Sequence, residues 1–213
     1  MAKFLWIALW NANGLAQHKV EIQLFLQHNI IDILLISVTH FTMKSYFKIP
    51  QYNIYYTNHP DRKAHAGTAI LIKRIISHYE VPNYDEDSLQ ATSIRVRTLP
   101  YELTVTALYS PPKYNLKKDH YDSFLSTLGP RFMAGGDYNG KHTTWGSRIT
   151  TIKGKELFNL LQEKNYSFLT TGNPTYWPTD PTKQPDCLDF SITNGISSTY
   201  TATEPSHDLS SDH

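Results

Sequence analysis

Short apolar stretches rich in Ile, Val, Leu and Tyr recur along the whole chain, and Gly, Pro, Asn or Asp residues bound most of them. Stretches of this length between turn residues are typical of β-strands. The pattern therefore predicts strands at Phe4–Trp10, Ile33–Ile36, Asn53–Thr57, Thr68–Ile72, Ala91–Val96, Leu103–Leu108, Phe132–Ala134, Phe168–Thr170 and Leu188–Thr193.

Apolar side chains at helical spacing predict helices at Val20–Gln27, Lys117–Leu128 and Ile152–Lys164. Several of the predicted strands are almost continuously apolar, so we expect other elements to cover both of their faces. The first strand, the first helix and the second strand together have the length of a parallel crossover unit. These patterns indicate a layered α/β protein in which residues 1–213 form one domain.

Composition and charge exclude several classes of protein. The chain has 20 Lys and Arg against 19 Asp and Glu, a net charge of +1, which excludes nucleic-acid binding by bulk charge alone. Cys187 is the only cysteine, so neither an internal disulfide nor a cysteine-rich metal site is expected, and a reducing, intracellular compartment is predicted. The apolar N-terminal stretch Phe4–Trp10 is too short to span a bilayer, and no membrane partner is expected.

Polar residues with possible chemistry lie where predicted strands end, which is the usual ligand side of an α/β sheet. Asn11 leaves the first strand, Asp137 and Asn139 follow a buried strand and two glycines, and Asp189 lies between Leu188 and Phe190. The glycines let the backbone turn and let a ligand approach closely. Asp137 alone is equally consistent with a helix cap, whereas Asp189 needs a hydrogen-bonding or cationic partner, for which a histidine is suited.

Taken together, these amides and carboxylates and the terminal Asp212-His213 pair suit the hydrolysis of a phosphate ester. A divalent cation neutralises the phosphate oxygens, a carboxylate acts on the attacking water, and a histidine stabilises the transition state. Oxygen ligands favour Mg²⁺ or Mn²⁺ over Zn²⁺.

At these residues the sequence resembles the apurinic/apyrimidinic-endonuclease-like domain of non-LTR retrotransposons, within the endonuclease/exonuclease/phosphatase superfamily, and most of all the jockey clade of insect elements. The motifs occur in family order and span almost the whole chain. They are Leu9–Leu15 (LWNANGL), Leu35–His40 (LISVTH), Ala107–Pro112 (ALYSPP), Gly135–Asn139 (GGDYN), Thr144–Ser147 (TWGS), Pro174–Pro178 (PTYWP) and Ser211–His213 (SDH).

The resemblance implies a four-layered α/β sandwich, in which two packed mixed β-sheets are flanked by helices and the site lies at one edge. It also implies catalytic roles. Asp137 would act on the attacking water or the leaving group, with Asn139 beside it on the phosphate, and Tyr109 would contact the scissile phosphate. Asp189 would hold the imidazole of His213.

The same resemblance assigns Asn11 and Asp212 to the metal site, for Mg²⁺ or Mn²⁺. It also shows a departure, because Val38 stands where the family has a glutamate that is the principal protein ligand of the metal. Valine has no lone pair to offer, so we expect weak metal binding. The family continues beyond the Ser-Asp-His motif with a final strand, which we expect to be missing because this sequence stops at His213.

Lys141, Arg148 and Lys153 follow the Asp137 motif and would hold DNA phosphates without reading bases, although solvated loop lysines are an equal alternative. Trp145 and Tyr176, on loops, would enter a groove or stack on a base, or would instead close the core.

The sequence thus leads to the hypothesis of a metal-dependent, DNA-nicking phosphodiesterase domain that cuts target DNA to prime reverse transcription. Its expected partners are double-stranded DNA, a reverse transcriptase domain in a longer polyprotein and the element RNA, and it would act in the nucleus. The alternative is a catalytically inactive, truncated remnant that at most binds DNA. A lipid phosphodiesterase of the same superfamily is disfavoured, because the TWGS and PTYWP segments resemble the transposon branch.

Overall fold

The computed structural model describes residues 4–206 and 208–211. Within them the strands and helices follow one another in chain order. They are β1 (Ile7–Asn11), α1 (Lys19–His28), β2 (Ile33–Ser37), β3 (Tyr52–Thr57), β4 (Thr68–Lys73), β5 (His78–Glu80), β6 (Tyr84–Glu86), β7 (Leu89–Arg97), β8 (Glu102–Tyr109), α2 (Lys118–Leu125), β9 (Phe132–Asp137), α3 (Ile152–Lys164), β10 (Ser167–Leu169) and β11 (Asp189–Asn194).

The strands form two mixed sheets. The smaller sheet has the order β1-β2-β4-β3, and the larger has the order β10-β11-β9-β8-β7-β5, with β6 also paired to β7. β1 is parallel to β2 and β8 is parallel to β9, whereas the other pairs are antiparallel. Both sheets are therefore mixed, as the resemblance implies.

Three apolar clusters separate four layers of structure. Ile22 and Phe25 of α1 pack on one face of the smaller sheet. Between the sheets lies a second cluster, in which Leu35 of β2 and Val105 of β8 take part. Helices α2 and α3 cover the outer face of the larger sheet, and α3 packs against it through residues such as Leu157. This arrangement confirms the predicted sandwich of helix, sheet, sheet and helix.

Most of the predicted elements are confirmed, with two differences. The first strand begins at Ile7 and not at Phe4, because its pairing with β2 starts at the Ile7–Ile33 pair, and both Phe4 and Trp6 are exposed. Strands β5 and β6 were not predicted, since they are three residues long and their sequences, HYE and YDE, contain no apolar run. None of the helices in the described parts of the chain is long and apolar enough to cross a membrane.

The topology places several strand ends at one edge of the molecule. The carboxyl ends of the parallel strands β1 and β2 meet there, as do those of β8 and β9, and β11 begins beside the end of β9. This edge carries the polar residues that the sequence singled out.

Candidate functional site

Asp137, the last residue of β9, lies at the centre of this edge and is buried, with 2% of its surface exposed. Asn11 Nδ2, at the end of β1, donates a hydrogen bond to Asp137 Oδ2 at 3.0 Å. The backbone N–H of Asn139 donates to Asp137 Oδ1 at 2.9 Å. Both carboxylate oxygens are therefore held in place by donors from two different layers, and the structure brings together three predicted site residues.

Ser37, the last residue of β2, joins the two sheets directly beneath Asp137. Its hydroxyl donates to the carbonyl oxygen of Leu108 at 2.7 Å and accepts from the backbone N–H of Asp137 at 3.2 Å. The close approach depends on Gly136, whose φ is +149°, because a Cβ atom there would lie 2.0 Å from the Leu108 carbonyl oxygen. The sequence suggested that this glycine admits a ligand, whereas here it admits a neighbouring strand.

Tyr109, Asp137 and Asp189 are register partners on three adjacent strands of the larger sheet. Residues paired in this way present their side chains on the same face. Thr175 Oγ1 donates to Asp189 Oδ2 at 2.8 Å and accepts from the Asp189 backbone N–H at 3.0 Å. Thr175 is thus a partner of Asp189 that sequence reasoning missed; it belongs to the PTYWP motif, but no spacing rule linked the two.

The predicted metal residue Asp212 and the predicted catalytic residue His213 lie outside the described residues. Their assignments therefore remain predictions that rest on the family resemblance.

The Tyr109 side chain is a suitable hydrogen-bond donor for a phosphate. Burial raises the pKa of its phenol, and the negative charge of Asp137 raises it further. The phenol therefore keeps its proton well above neutral pH. A protonated phenol beside a carboxylate can donate to an anionic oxygen without itself adding negative charge.

The sequence suggested that Lys153 contacts DNA phosphates or is a solvated loop lysine. In the structure Lys153 is buried at the start of α3. Its Nζ donates to the carbonyl oxygens of Ser110 at 3.0 Å and Pro111 at 2.9 Å, the residues that follow Tyr109. Burial lowers its pKa to about 8, while the charge of Asp137 opposes that decrease. Lys153 lies four residues before Leu157, on the same apolar face of α3. This helical spacing is the sequence signal that could have indicated the burial of Lys153.

Val38 follows β2 directly and has a φ of +57°, a backbone conformation that is uncommon for a β-branched residue. Its carbonyl oxygen accepts a hydrogen bond from the Gly14 N–H at 2.9 Å, which fixes the turn after β1. The side chain is buried and has no atom that can bind a metal ion.

The described residues at this edge offer donor atoms of the chemical type that binds a magnesium or manganese ion. Asp137, Asp189 and the side-chain carbonyl of Asn11, which accepts from the Asn13 N–H at 3.2 Å, are oxygen donors of the type that these ions prefer. Val38 adds no oxygen at the position where the resemblance implies a carboxylate.

The predicted DNA-binding residues Lys141, Arg148 and Tyr176 all meet at Asp186, three positions before Asp189. Lys141 Nζ lies 2.8 Å and Arg148 Nε 3.9 Å from Asp186 Oδ2, and Tyr176 and Asp186 exchange backbone hydrogen bonds of 3.0 Å. Burial alone would raise the pKa of Asp186, but the hydrogen bonds from Lys141 and the Arg148 N–H lower it. Two cations on one carboxylate leave a surplus positive charge at this surface.

Trp145 belongs to the core, the second of the two alternatives for this residue. It is 0% exposed, its ring lies 4.8 Å from that of Phe190, and its Nε1–H donates to the Gly140 carbonyl oxygen at 3.1 Å. A completely enclosed ring cannot stack on a base. Trp177, which the sequence did not single out for DNA contact, is 44% exposed on the loop next to Tyr176.

Comparisons with known proteins agree with this architecture. Residues 103–213 match the model of a family described as endonuclease-reverse transcriptase. The chain is 34% identical over 209 residues, 98% of its length, to the RNA-directed DNA polymerase from mobile element jockey of Drosophila melanogaster. It is 29% identical over 211 residues, 98% of its length, to the probable RNA-directed DNA polymerase from transposon BS of the same species. In both cases it spans 23% of the relative's length.

Among solved structures, the endonuclease domain of TRAS1, a telomere-specific non-LTR retrotransposon, superimposes with a TM-score of 0.75 at 17% identity, over 90% of this chain and 86% of that one. An AP endonuclease from Leishmania major gives a TM-score of 0.69 at 11% identity, over 88% and 78% of the two chains. At these identities the likeness shows the fold alone.

Proposed function

The chain belongs to the endonuclease-reverse transcriptase family, and on that premise we propose that it is a metal-dependent endonuclease domain that nicks double-stranded DNA. The observation that carries this proposal is the buried Asp137 carboxylate, which Asn11 and Asn139 orient between Tyr109 and Asp189. A fixed carboxylate beside a protonated phenol suits the attack of water on a phosphodiester.

In the proposed reaction, the oxygen of a water molecule bonds to phosphorus while the bond from phosphorus to the 3′ oxygen breaks. Asp137 orients the water and accepts its proton, and the released 3′ oxygen takes up a proton. Tyr109 donates a hydrogen bond to a phosphate oxygen, with Asn139 beside it. By the family resemblance, Asp189 would orient the imidazole of His213, which would stabilise the charge that builds up on the phosphate.

A Mg²⁺ or Mn²⁺ ion, when bound, would neutralise the phosphate oxygens and activate the water. Asn11 and Asp212 would hold it, and the absence of a carboxylate at Val38 would make its binding weak. Lys153, through its hydrogen bonds to the carbonyls of Ser110 and Pro111, keeps Tyr109 in place.

Lys141, Arg148 and Tyr176, gathered around Asp186, form the proposed surface for the DNA backbone, and the exposed Trp177 extends it. The surplus charge there would make binding weaken as salt rises. Because the jockey and BS relatives are RNA-directed DNA polymerases, we also propose that the domain acts with a reverse transcriptase domain and the element RNA in a longer protein. The free 3′ hydroxyl of the nick would then prime synthesis in the nucleus.

The test is relaxation of supercoiled plasmid at increasing Mg²⁺ concentrations, with the unaltered chain, Val38→Glu, Val38→Leu and Asp137→Ala. Val38→Glu should nick at a Mg²⁺ concentration at least about tenfold lower than the unaltered chain requires, because it adds a carboxylate ligand. Val38→Leu also removes the β-branch, but it adds no oxygen atom that could bind the ion. A gain shared by both variants would therefore come from backbone relaxation and not from metal binding.

The second candidate function, a remnant that only binds DNA, is favoured by the apolar Val38 side chain at the metal edge. It predicts that the unaltered chain folds, as shown by circular dichroism, and binds DNA, yet produces no nicks at any Mg²⁺ concentration. If instead the unaltered chain nicks as well as Val38→Glu, position 38 does not carry the missing ligand.

A further inference from the structure

The loop between β3 and β4 brings His59, Asp61 and His65 together. This cluster shares no residue with the site around Asp137. His59 Nδ1 lies 2.9 Å from Asp61 Oδ1, and His65 Nε2 lies 2.8 Å from Asp61 Oδ2. The two imidazole rings are 4.1 Å apart between centroids. One ligand atom from each residue falls within 4.8 Å of the other two, which is the spacing needed to surround a single metal ion.

A tight turn produces this arrangement. The Arg62 N–H donates to the His59 carbonyl oxygen at 2.9 Å, and Arg62 has a φ of +61°. The Lys63 N–H donates to Asp61 Oδ1 at 2.9 Å. His65 Nε2 contacts the other carboxylate oxygen, Asp61 Oδ2, at 2.8 Å. The turn therefore presents a fixed anion between two imidazoles.

The neighbours of His59 make conflicting demands on its two ring nitrogens. Its Nδ1 faces the Asp61 carboxylate and also the Asp61 backbone N–H at 3.3 Å, and it cannot donate to the first while accepting from the second. Its Nε2 is buried, has no hydrogen-bond partner among the described residues, and lies 3.8 Å from Asp87 Oδ1. If Nδ1 carries the only proton, a lone pair on Nε2 points toward a carboxylate.

A metal ion bound by both Nδ1 and the Asp61 carboxylate removes the repulsion between their lone pairs, and the Asp61 N–H, 3.3 Å from Nδ1, then gives up this acceptor. With the ion on His59 Nδ1, the ring proton lies on Nε2, 3.8 Å from Asp87 Oδ1, and a rotation of the exposed Asp87 side chain would close this gap to a hydrogen bond. A carboxylate that accepts the second ring N–H of a ligating histidine is the usual support of such a site. We propose that His59, Asp61 and His65 bind one divalent transition-metal ion, Zn²⁺ in the first instance, with Asp87 orienting His59.

The donor set separates this site from the proposed magnesium site. Two imidazole nitrogens and one carboxylate favour Zn²⁺ and its neighbours in the transition series, whereas Mg²⁺ prefers oxygen ligands. Three protein ligands leave a fourth tetrahedral position for water.

The position of the loop gives the ion a structural role. The carbonyl oxygens of Ala66 and Gly67, at the end of the loop, accept hydrogen bonds from the N–H groups of His40 at 3.0 Å and Thr39 at 3.2 Å. These are the residues that follow Val38. An ion bound to His65 should therefore stabilise the segment that borders the nuclease edge, as well as the fold as a whole.

The test uses the full chain after removal of metals with EDTA. Isothermal titration with Zn²⁺ should show one equivalent bound, and Zn²⁺ at a hundredfold excess over its dissociation constant should raise the melting temperature by roughly 5–10 °C. His65→Gln should weaken Zn²⁺ binding by more than about tenfold, and Asp87→Asn by about tenfold. His65 is partly exposed, so its replacement is the variant expected to fold.

Two matched variants make the result specific. His28→Gln, which alters an exposed histidine of α1, and Asp137→Ala, at the nuclease edge, should both retain full Zn²⁺ affinity. An excess of Mg²⁺ should not displace the Zn²⁺. The proposal is overturned if the unaltered chain binds no Zn²⁺, if His65→Gln binds it with unchanged affinity, or if Asp137→Ala abolishes binding.

Discussion

Replacing Ser37 with alanine removes a single oxygen atom that connects the two sheets at the proposed active site. The Ser37 hydroxyl is buried and makes two hydrogen bonds, one to the Leu108 carbonyl oxygen at 2.7 Å and one from the Asp137 N–H at 3.2 Å. Alanine fits the same space without a clash, so the change tests the hydrogen bonds and not the packing.

The expected cost follows from the two polar groups that lose this partner. A buried donor or acceptor left unsatisfied costs about 1–3 kcal/mol, so the loss of both contacts in Ser37→Ala should lower the free energy of unfolding by about 2–6 kcal/mol. For a chain of this size each kcal/mol lowers the melting temperature by roughly 2–4 °C. The matched control is Ser93→Ala. Ser93 is also buried, on the helix-covered face of the larger sheet, but its hydroxyl shares only one hydrogen bond, of 2.9 Å, with Thr106 Oγ1. Its loss should cost only about 1 kcal/mol.

Urea denaturation of the unaltered chain and both variants gives the comparison. The nicking assay on the Val38→Glu background adds a second measurement, because Ser37 positions the Asp137 backbone and Ser93 does not. A misplaced carboxylate reduces the rate, by about 100-fold for a displacement near 1 Å. If Ser37→Ala and Ser93→Ala cost the same free energy and leave the same nicking rate, the proposed link between the sheets is wrong.

Three further predictions concern buried residues around the site. Because burial lowers the pKa of Lys153 from 10.5 to about 8, the unfolded chain holds a proton between these pH values that the folded chain has released. Stability should therefore rise with pH through this window, by a total on the order of 3 kcal/mol. In urea titrations at several pH values, Lys153→Met should lack that rise, and an identical pH slope would contradict the assignment. Gly136→Ala should cost more than about 3 kcal/mol or prevent folding. Gly172→Ala, also at positive φ but in open space, should cost about 1 kcal/mol, and equal costs would disprove the close approach. Trp145→Ala should cost about 3–5 kcal/mol and Trp177→Ala less than about 1 kcal/mol in thermal melts; the reverse order would place the wrong tryptophan in the core.

The sequence by itself determined most of the secondary structure and the edge at which the site lies. Helix α3 has the predicted bounds, Ile152–Lys164, because its apolar residues recur at the helical period and Thr151 caps its first turn. Asn11 and Asp137 were found for a local reason as well, since each follows a buried strand. Their contact, in contrast, depends on how the two sheets stack, because β1 belongs to the smaller sheet and β9 to the larger. The short strands β5 and β6 lack a local apolar signal, so pairing with β7 alone defines them.

Only the tertiary structure decided which polar residues become partners. Thr175 lies 14 residues from Asp189 and His59 lies 28 residues from Asp87, and no periodicity relates such pairs. The burial of Lys153 has the same origin. A lysine side chain is ordinarily solvated, and here it is enclosed because the strand end at Ser110 leaves carbonyl oxygens in need of a donor. Local sequence periodicity reports which face of an element is apolar, whereas hydrogen bonding between distant segments depends on how the layers stack, and that is a property of the whole fold.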